Sequence, residues 1–297
     1  MMKVSVCMIT YNHEQYIAQA IESIIGQQTD FDYELIIGED CSKDGTRSIC
    51  VDYQQKYPDK IKLVLHNPNV GMLPNFLSVL DKCEGEFVAM CEGDDYWTDV
   101  HKLQKQVDFF NKNPDYTVNF HSLQLMVNGE IQTPAFLPKN TFSIEDLIKS
   151  NFIGTASVMF RFQKPFSLPN WFVELPFGDW TLHIINANKG KVGYLPEHLG
   201  VYRIHAGGNW SNARASALKQ ELVKVKFYNH ISHYLASKYD RVISVEKIKL
   251  WNNILNHSDI AIPTKEIITD ITNCLQSFGK IDNATRATGS KSNRKTG

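Results

Sequence analysis

Glu86-Phe87-Val88-Ala89-Met90-Cys91-Glu92-Gly93-Asp94-Asp95 decides the fold, because an unbroken apolar run opens directly onto three carboxylates around a glycine. A short apolar run closed by a turn-forming cluster reads as a strand buried on both faces, the form strands take in a parallel sheet covered by helices. Glu86–Glu92 is such a strand, and Lys3–Thr10, Tyr33–Gly38 and Ile61–His66 repeat its character upstream. Between the first two, Asn12 is placed to cap a helix whose Ile17, Ala20, Ile21, Ile24 and Ile25 share one stripe, with Gln15 completing a capping box. Pro74 suits the first turn of a helix carrying Phe76, Leu77 and Leu80 on its apolar side. The first ninety-odd residues therefore predict a βαβαβαβ wind: an α/β fold with a mostly parallel twisted sheet flanked by helices.

Open sheets of this kind bind ligands at the carboxyl ends of their strands. Those ends carry Tyr11-Asn12, Glu39-Asp40 and Glu92-Gly93-Asp94-Asp95. Carboxylates two apart on extended chain point to one side, so Glu92 and Asp94 are expected to address one ligand while Asp95 turns away or into a neighbouring turn. Hard oxygen ligands suit Mg²⁺ or Mn²⁺, whose shell substrate phosphate oxygens complete; plain turn chemistry is the competing reading of the tetrapeptide. Asp40 can accept the ring N–H of a pyrimidine base and Tyr11 can stack on it, although a packed core is the commoner fate of a lone tyrosine. Ser42, Asp44 and Gly45 read as turn and cap residues.

Downstream, Lys102–Asn111 reads as a helix with Leu103, Val107 and Phe110 inward. Residues 116–142 form strands around an Asn128-Gly129 hairpin turn, Ser143 with Asp146 opens another helix, and Phe152–Phe162 reads as a strand. Asp179–Lys189 is a helix stopped by Gly190. From Ala213 the pattern is helical, with Leu222, Val225, Tyr228 and Ile231 on one face, then Ile248–Leu255 and Ile267–Phe278. The polar, basic residues 280–297 show no periodicity and predict a disordered tail.

A net charge of −1 carries no general mark of a nucleic-acid or anionic-membrane partner, and no nucleic-acid partner is expected. Val4–Ile9 runs straight into polar residues rather than a cleavage site, so a cytoplasmic protein is expected. No stretch approaches the roughly 20 apolar residues of a spanning helix, which limits any membrane contact to a peripheral one. Six scattered cysteines predict reduced, mostly buried thiols. The three Asn-x-Ser/Thr patterns at Asn209, Asn256 and Asn283 read as accidental. Neither a P-loop nor a dinucleotide glycine fingerprint occurs.

Val4–Asn12, Glu39–Thr46, Asn67 to Gly71, Gly85–Asp95 and Phe177-Gly178-Asp179-Trp180, in that order over residues 3–210, together resemble family 2 glycosyltransferases of the fold called GT-A. The resemblance implies inverting transfer from a nucleotide-diphosphate sugar, UDP favoured, to a hydroxyl of a glycan or lipid-linked acceptor in cell-surface polysaccharide synthesis. It implies donor contacts from Thr10, Tyr11, Asn12, Glu39, Asp40, Glu92 and Asp94. Asp94 stands where the family's D-x-D motif holds Mn²⁺ or Mg²⁺, and Glu92 replaces the usual first Asp. Asp179 matches the catalytic base, a role a carboxylate within reach of a sugar hydroxyl can fill; a helix N-cap would place Asp there equally well.

Tyr202-Arg203-Ile204-His205 resembles the segment closing the catalytic domain in relatives. His205 is expected to complete the metal shell and Arg203 to steady the diphosphate, with Ala206-Gly207-Gly208 as a closing loop. Trp97, Trp171, Trp180 and Trp210 could face sugar rings, with core packing the stronger expectation. The catalytic domain is expected over 1–212, a helical extension over 213–279 and a tail over 280–297. The extension could pack on the catalytic domain, pair two subunits or lie on a membrane, and packing is the default. Two other readings compete: a binding module that has lost turnover, and a nucleotidylyltransferase, which would need a glycine-rich loop where Thr10-Tyr11-Asn12-His13 stands.

Overall fold

Strand β1 (Val4–Thr10) lies at the centre of the parallel half of the sheet, with all residues but Ile9 buried. It pairs in parallel with β2 (Tyr33–Glu39) on one side and β4 (Phe87–Met90) on the other, and β3 (Ile61–Leu65) extends the sheet beyond β2 in the same direction. The crossover helices are α1 (Ile17–Ile25), α2 (Thr46–Lys56) and α3 (Met72–Lys82). Parallel winding sends the carboxyl ends of all four strands to one edge. The computed structural model describes residues 2–205, 217–256 and 267–276.

Beyond β4 the direction reverses twice. β9 (Met159–Arg161) runs antiparallel to both β4 and β6 (Tyr116–Val127), and β10 (Lys191–Ile204) runs parallel to β6. Two reversals restore the sense of β4, so β10 delivers its carboxyl end, Arg203 to His205, to the same edge as Asp94. β5 (Tyr96–Trp97) borders β10, giving the order β3-β2-β1-β4-β9-β6-β10-β5. Two short strands branch from this path: β7 (Glu130–Gln132) pairs β6 through a turn with Asn128 and Gly129 at positive φ, and β8 (Thr141–Phe142) pairs β10. α4 (Lys102–Lys112), α5 (Ile144–Lys149) and α6 (Gly178–Ala187) complete the described helices of this region. Ser143 and Asp146 exchange backbone and side-chain bonds at the start of α5, a capping box at the helix start expected there.

The core forms because α1 lays Ile17, Ala20, Ile21 and Ile24 onto Val6, Met8, Leu35 and Ile37, all fully buried. Burying each such side chain stabilises the fold by roughly 1.5–3 kcal/mol. On the other side of the sheet α3 approaches so closely that a Cβ on Gly38 would sit 2.1 Å from Asn75 Oδ1, and Asn75 Nδ2 instead donates to the Gly38 carbonyl at 2.9 Å.

Three local expectations change. Asn12 does not cap α1, which begins at Ile17 after Tyr16; it adopts φ +56° and bonds the loop after β2 instead. Phe152–Phe162 is a strand only from Met159, with a 3₁₀ turn over Thr155–Ser157 before it. β10 was not foreseen, because Pro196 and the polar Glu197-His198 interrupt its apolar pattern, and the pairing with β6 shifts register there.

The chain divides into two units, Met1–Leu147 with Asn151–Asn212, and Ile148–Ser150 with Ala213–Gly297. The second holds α7 (Ala217–Tyr234), α8 (Asp240–Leu255) and a helical segment over 267–276. Val225, Trp251, Ile254 and Ile267 form its core. Asp270 accepts from the Lys247 ammonium at 2.5 Å and from Trp251 Nε1 at 2.7 Å, so the buried lysine is paired. Among the described residues no helix is long and apolar enough to cross a membrane. Five cysteines are buried and Cys41 is half-buried, all as free thiols. The Ala206-Gly207-Gly208 stretch, Trp210, the acceptor patterns at Asn209 and Asn283 and the tail 280–297 lie outside the described residues.

Candidate active site

The site is built where β4 ends against β1. Gly93 N–H donates to the Ile9 carbonyl at 3.0 Å, and a Cβ on Gly93 would meet Thr10 Oγ1 at 2.5 Å. Only glycine lets the two strand ends close so tightly, and the closure sets Glu92, Asp94 and Asp95 beside Thr10 and His13. One ligand oxygen from each of the three acids falls within 4.8 Å of the others. Asp95 therefore does not turn away: it is buried within the cluster, where Oδ1 accepts the Arg203 N–H at 2.8 Å and Oδ2 has no hydrogen-bond partner among the described residues.

Two imidazoles reach the same oxygen of Asp94. His205 Nε2 lies 3.0 Å from Asp94 Oδ2 and His13 Nε2 lies 3.6 Å from it. The crowding has an electrostatic consequence. Burial, then the charges of Asp94 and Asp179, push the Glu92 carboxyl up to about 8. Burial, then Asp94 and Glu92, hold Asp95 well above the carboxylate range. Burial lowers His13, against the pull of Asp94.

Arg203 is buried, and its guanidinium lies over the rings of Tyr96 and Tyr16, 4.4 and 5.1 Å from their centroids. It donates to the main-chain oxygen of Asp94 at 2.5 Å and to Gln19 Oε1. Those bonds hold the acidic turn in place.

At the β2 end the acids also face the protein. Asp40, 2 % exposed, accepts the Val70 and Gly71 N–H groups at 2.7 and 2.9 Å. Glu39, fully buried, accepts Ser42 N–H at 2.6 Å and pairs with Arg47 Nε. Arg47 ties this pair to Asn67 Oδ1 and to the His66 carbonyl. Both carboxylates thus fix the loops that frame the strand-end crevice, and Asp40 keeps lone pairs for a further donor. Asn12 joins the same frame through Ser42 and Lys43. Thr10 is buried against His13 Nδ1 at 3.2 Å, while the Tyr11 ring is 37 % exposed and open to a planar partner. Arg47, unnoticed in the sequence, anchors this end. Arg47→Ala leaves the Glu39 charge buried without its partner, and we expect urea denaturation to show a loss of about 3–5 kcal/mol.

Across the crevice Asp179 stands at the second position of α6, whose N-cap is Phe177. It is not the cap, although Oδ1 accepts the Trp180 N–H at 2.7 Å; Oδ2 accepts Asn151 Nδ2 at 2.9 Å. Its charge acts on Glu92, and Asp95, Glu92, Asp94 and Asp179 together reinforce burial in raising the Tyr202 phenol. His183, one turn on and 1 % exposed, has neither ring nitrogen hydrogen-bonded among the described residues. Trp97 and Trp180 are core residues whose indole N–H groups donate to the Ala156 and Leu147 carbonyls.

The description Glycosyl transferase family 2 matches residues 5–164, more than half of the chain. The chain belongs to glycosyltransferase family 2. The matched span contains both acidic strand ends, whereas Asp179, Arg203 and His205 lie beyond it. The glycosyltransferase is 35 % identical to uncharacterized protein Rv1520 of Mycobacterium tuberculosis over 245 residues, 81 % of this chain and 68 % of that one. It is 29 % identical to TuaG of Bacillus subtilis, a putative teichuronic acid biosynthesis glycosyltransferase, over 73 % of this chain and 84 % of that one. Residues 1–349 of S. aureus TarS, solved with UDP-GlcNAc, share the GT-A fold with a TM-score of 0.65 at 19 % identity, covering 93 % of this chain and 81 % of that one. Relatives of this glycosyltransferase thus include a protein of polysaccharide biosynthesis.

Proposed function

We propose that this chain is a metal-dependent, inverting glycosyltransferase that moves a sugar from a UDP-sugar to a hydroxyl of a glycan or lipid-linked acceptor in cell-surface polysaccharide synthesis. The observation that carries the reading is the convergence of Glu92, Asp94, Asp95 and two imidazoles at one strand-end edge, with Asp179 close enough to raise Glu92. Three carboxylates so placed repel one another, and Asp95 Oδ2 is buried without a hydrogen-bond partner among the described residues; both features fit a divalent cation, Mn²⁺ or Mg²⁺. Asp94 and His205 would hold it, and bound there it would offset the charge of a leaving diphosphate.

The chain's own residues do the rest. The exposed Tyr11 ring offers a face for the base, above a frame fixed by Asp40, Glu39 and Arg47. Arg203 keeps the acidic turn in register from behind. Asn151 and the Trp180 N–H each donate to Asp179 and orient its carboxyl group, so that as a general base it can take a proton from the acceptor hydroxyl as that oxygen attacks the anomeric carbon. One base on the face opposite the leaving group suffices for inversion. Residues 1–212 are assigned as the catalytic domain and 213–279 as its helical extension. TuaG supports the polymer and TarS with UDP-GlcNAc supports the nucleotide.

Release of UDP from a panel of UDP-sugars with Mn²⁺ tests the reading against a module that binds without turnover: binding without release would establish the module. Thermal shift gives a second check, with UDP-sugars plus Mn²⁺ raising Tm and free sugars leaving it unchanged.

The acidic cluster predicts a pH dependence. Glu92 ordinarily titrates at 4.5 and here near 8, so without cation its contribution to stability is complete below the lower value and disappears as pH rises through the upper one. A cation replaces that proton. The rise in Tm caused by Mn²⁺ should therefore be larger at pH 8 than at pH 6; an equal or smaller rise at pH 8 would contradict the arrangement.

A further inference from the structure

We propose that His13 is a ligand of the cation at this site, and that with His205 it makes a two-imidazole centre that selects Mn²⁺ over Mg²⁺. The inference rests on the metal-dependent reading above and extends it to a residue from the turn after β1.

His13 lies in the turn between β1 and α1, and its backbone is fixed. Its N–H donates to Thr46 Oγ1 at 2.8 Å, and its carbonyl accepts the N–H groups of Tyr16 and Ile17 at 2.8 and 2.9 Å. Its Nε2 faces Asp94 Oδ2 at 3.6 Å. That separation is beyond a hydrogen bond, so the ring points at the carboxylate without bonding it. On the far side Nδ1 lies 3.2 Å from Thr10 Oγ1. Ligating imidazoles carry such a partner on the second nitrogen, which fixes ring and tautomer. With the proton on Nδ1, a lone pair on Nε2 faces a carboxylate oxygen, an arrangement that two acceptors adopt when a cation lies between them.

The separation of His205 from Asp94 matches that of two ligands on one ion, and that of His13 is longer. Two ligands at right angles, each about 2.1 Å from a six-coordinate ion, are about 3.0 Å apart. His205 Nε2 is 3.0 Å from Asp94 Oδ2 and His13 Nε2 is 3.6 Å from the same atom. The two rings stand nearly perpendicular, at 84°, with centroids 6.3 Å apart, approaching that oxygen from the ends of β1 and β10. Mg²⁺ prefers oxygen ligands and retains its waters, whereas nitrogen donors favour later divalent metals.

Mn²⁺ titration and pulsed electron paramagnetic resonance test the assignment, in the wild type, His13→Ala, His13→Gln and His205→Ala. We expect ¹⁴N modulation from two imidazoles in the wild type and from one in each alanine variant. Mn²⁺ affinity should fall at least about tenfold in His13→Ala and His13→Gln, and Mg²⁺ affinity should fall less. One coupled nitrogen in the wild type overturns the proposal without recourse to any variant. Unchanged Mn²⁺ affinity in His13→Gln overturns it as well, as does a loss confined to UDP binding measured without cation, which would place His13 on the phosphates. In all three cases the metal-dependent reading survives through Asp94 and His205. If the wild type binds no Mn²⁺, that reading falls together with this one.

Discussion

Asp94→Ala should lower kcat/KM for UDP-sugar turnover by about 10³-fold or more, measured as UDP release at saturating Mn²⁺. A bound cation contributes several kcal/mol of charge stabilisation at a departing phosphoryl oxygen, and each 1.36 kcal/mol is a factor of about ten in rate. The substitution removes the one carboxylate oxygen on which His205 and His13 converge. The fold should survive it, because Arg203 holds the main-chain oxygen of Asp94 and not its side chain. Circular dichroism and Tm without cation should therefore match the wild type closely, while the Mn²⁺-dependent rise in Tm is lost. Activity within tenfold of the wild type would show that Asp94 is not the metal-holding residue.

Asp179→Asn should lower kcat by about 10²–10⁴-fold, the range a positioned general base contributes, and its proposed role as base to the acceptor predicts unchanged UDP affinity. The substitution is nearly isosteric. An asparagine can still accept from the Trp180 N–H or from Asn151, but it has a single acceptor oxygen where Asp179 uses two, so stability should fall by only about 1 kcal/mol. Steady-state kinetics with varied acceptor separates the roles. A fall in kcat with donor Kd intact supports the base; an unchanged kcat would return Asp179 to the first turn of α6 as a structural acid.

The parallel wind was legible because its signals are local. Each of the four strands is an apolar run, the stripe of α1 repeats every three to four residues, and the Ser143–Asp146 box and the Asn128-Gly129 turn are each set by neighbours in the chain. What escaped was either interrupted or remote. Pro196 and its polar neighbours hid β10, and Asn12 looked like a cap because its true partners, Ser42 and Lys43, lie 30 and 31 residues away. Arg47, eight residues past Glu39, carried no motif, although a basic residue in the first turn after two consecutive acids was a signal to be had.

Sequence alone determined that the polar groups would meet at one edge, because parallel strands joined by helices must all end on the same side. Only the tertiary structure decided which of those groups look outward. Asp95 meets the Arg203 N–H across 108 residues and Asp94 meets His205 across 111, while Asp40 and Glu39 close on loops of their own half. Whether a carboxylate serves a ligand or a backbone amide depends on which donor comes within about 3 Å of it, and that distance is set by packing, not by spacing along the chain.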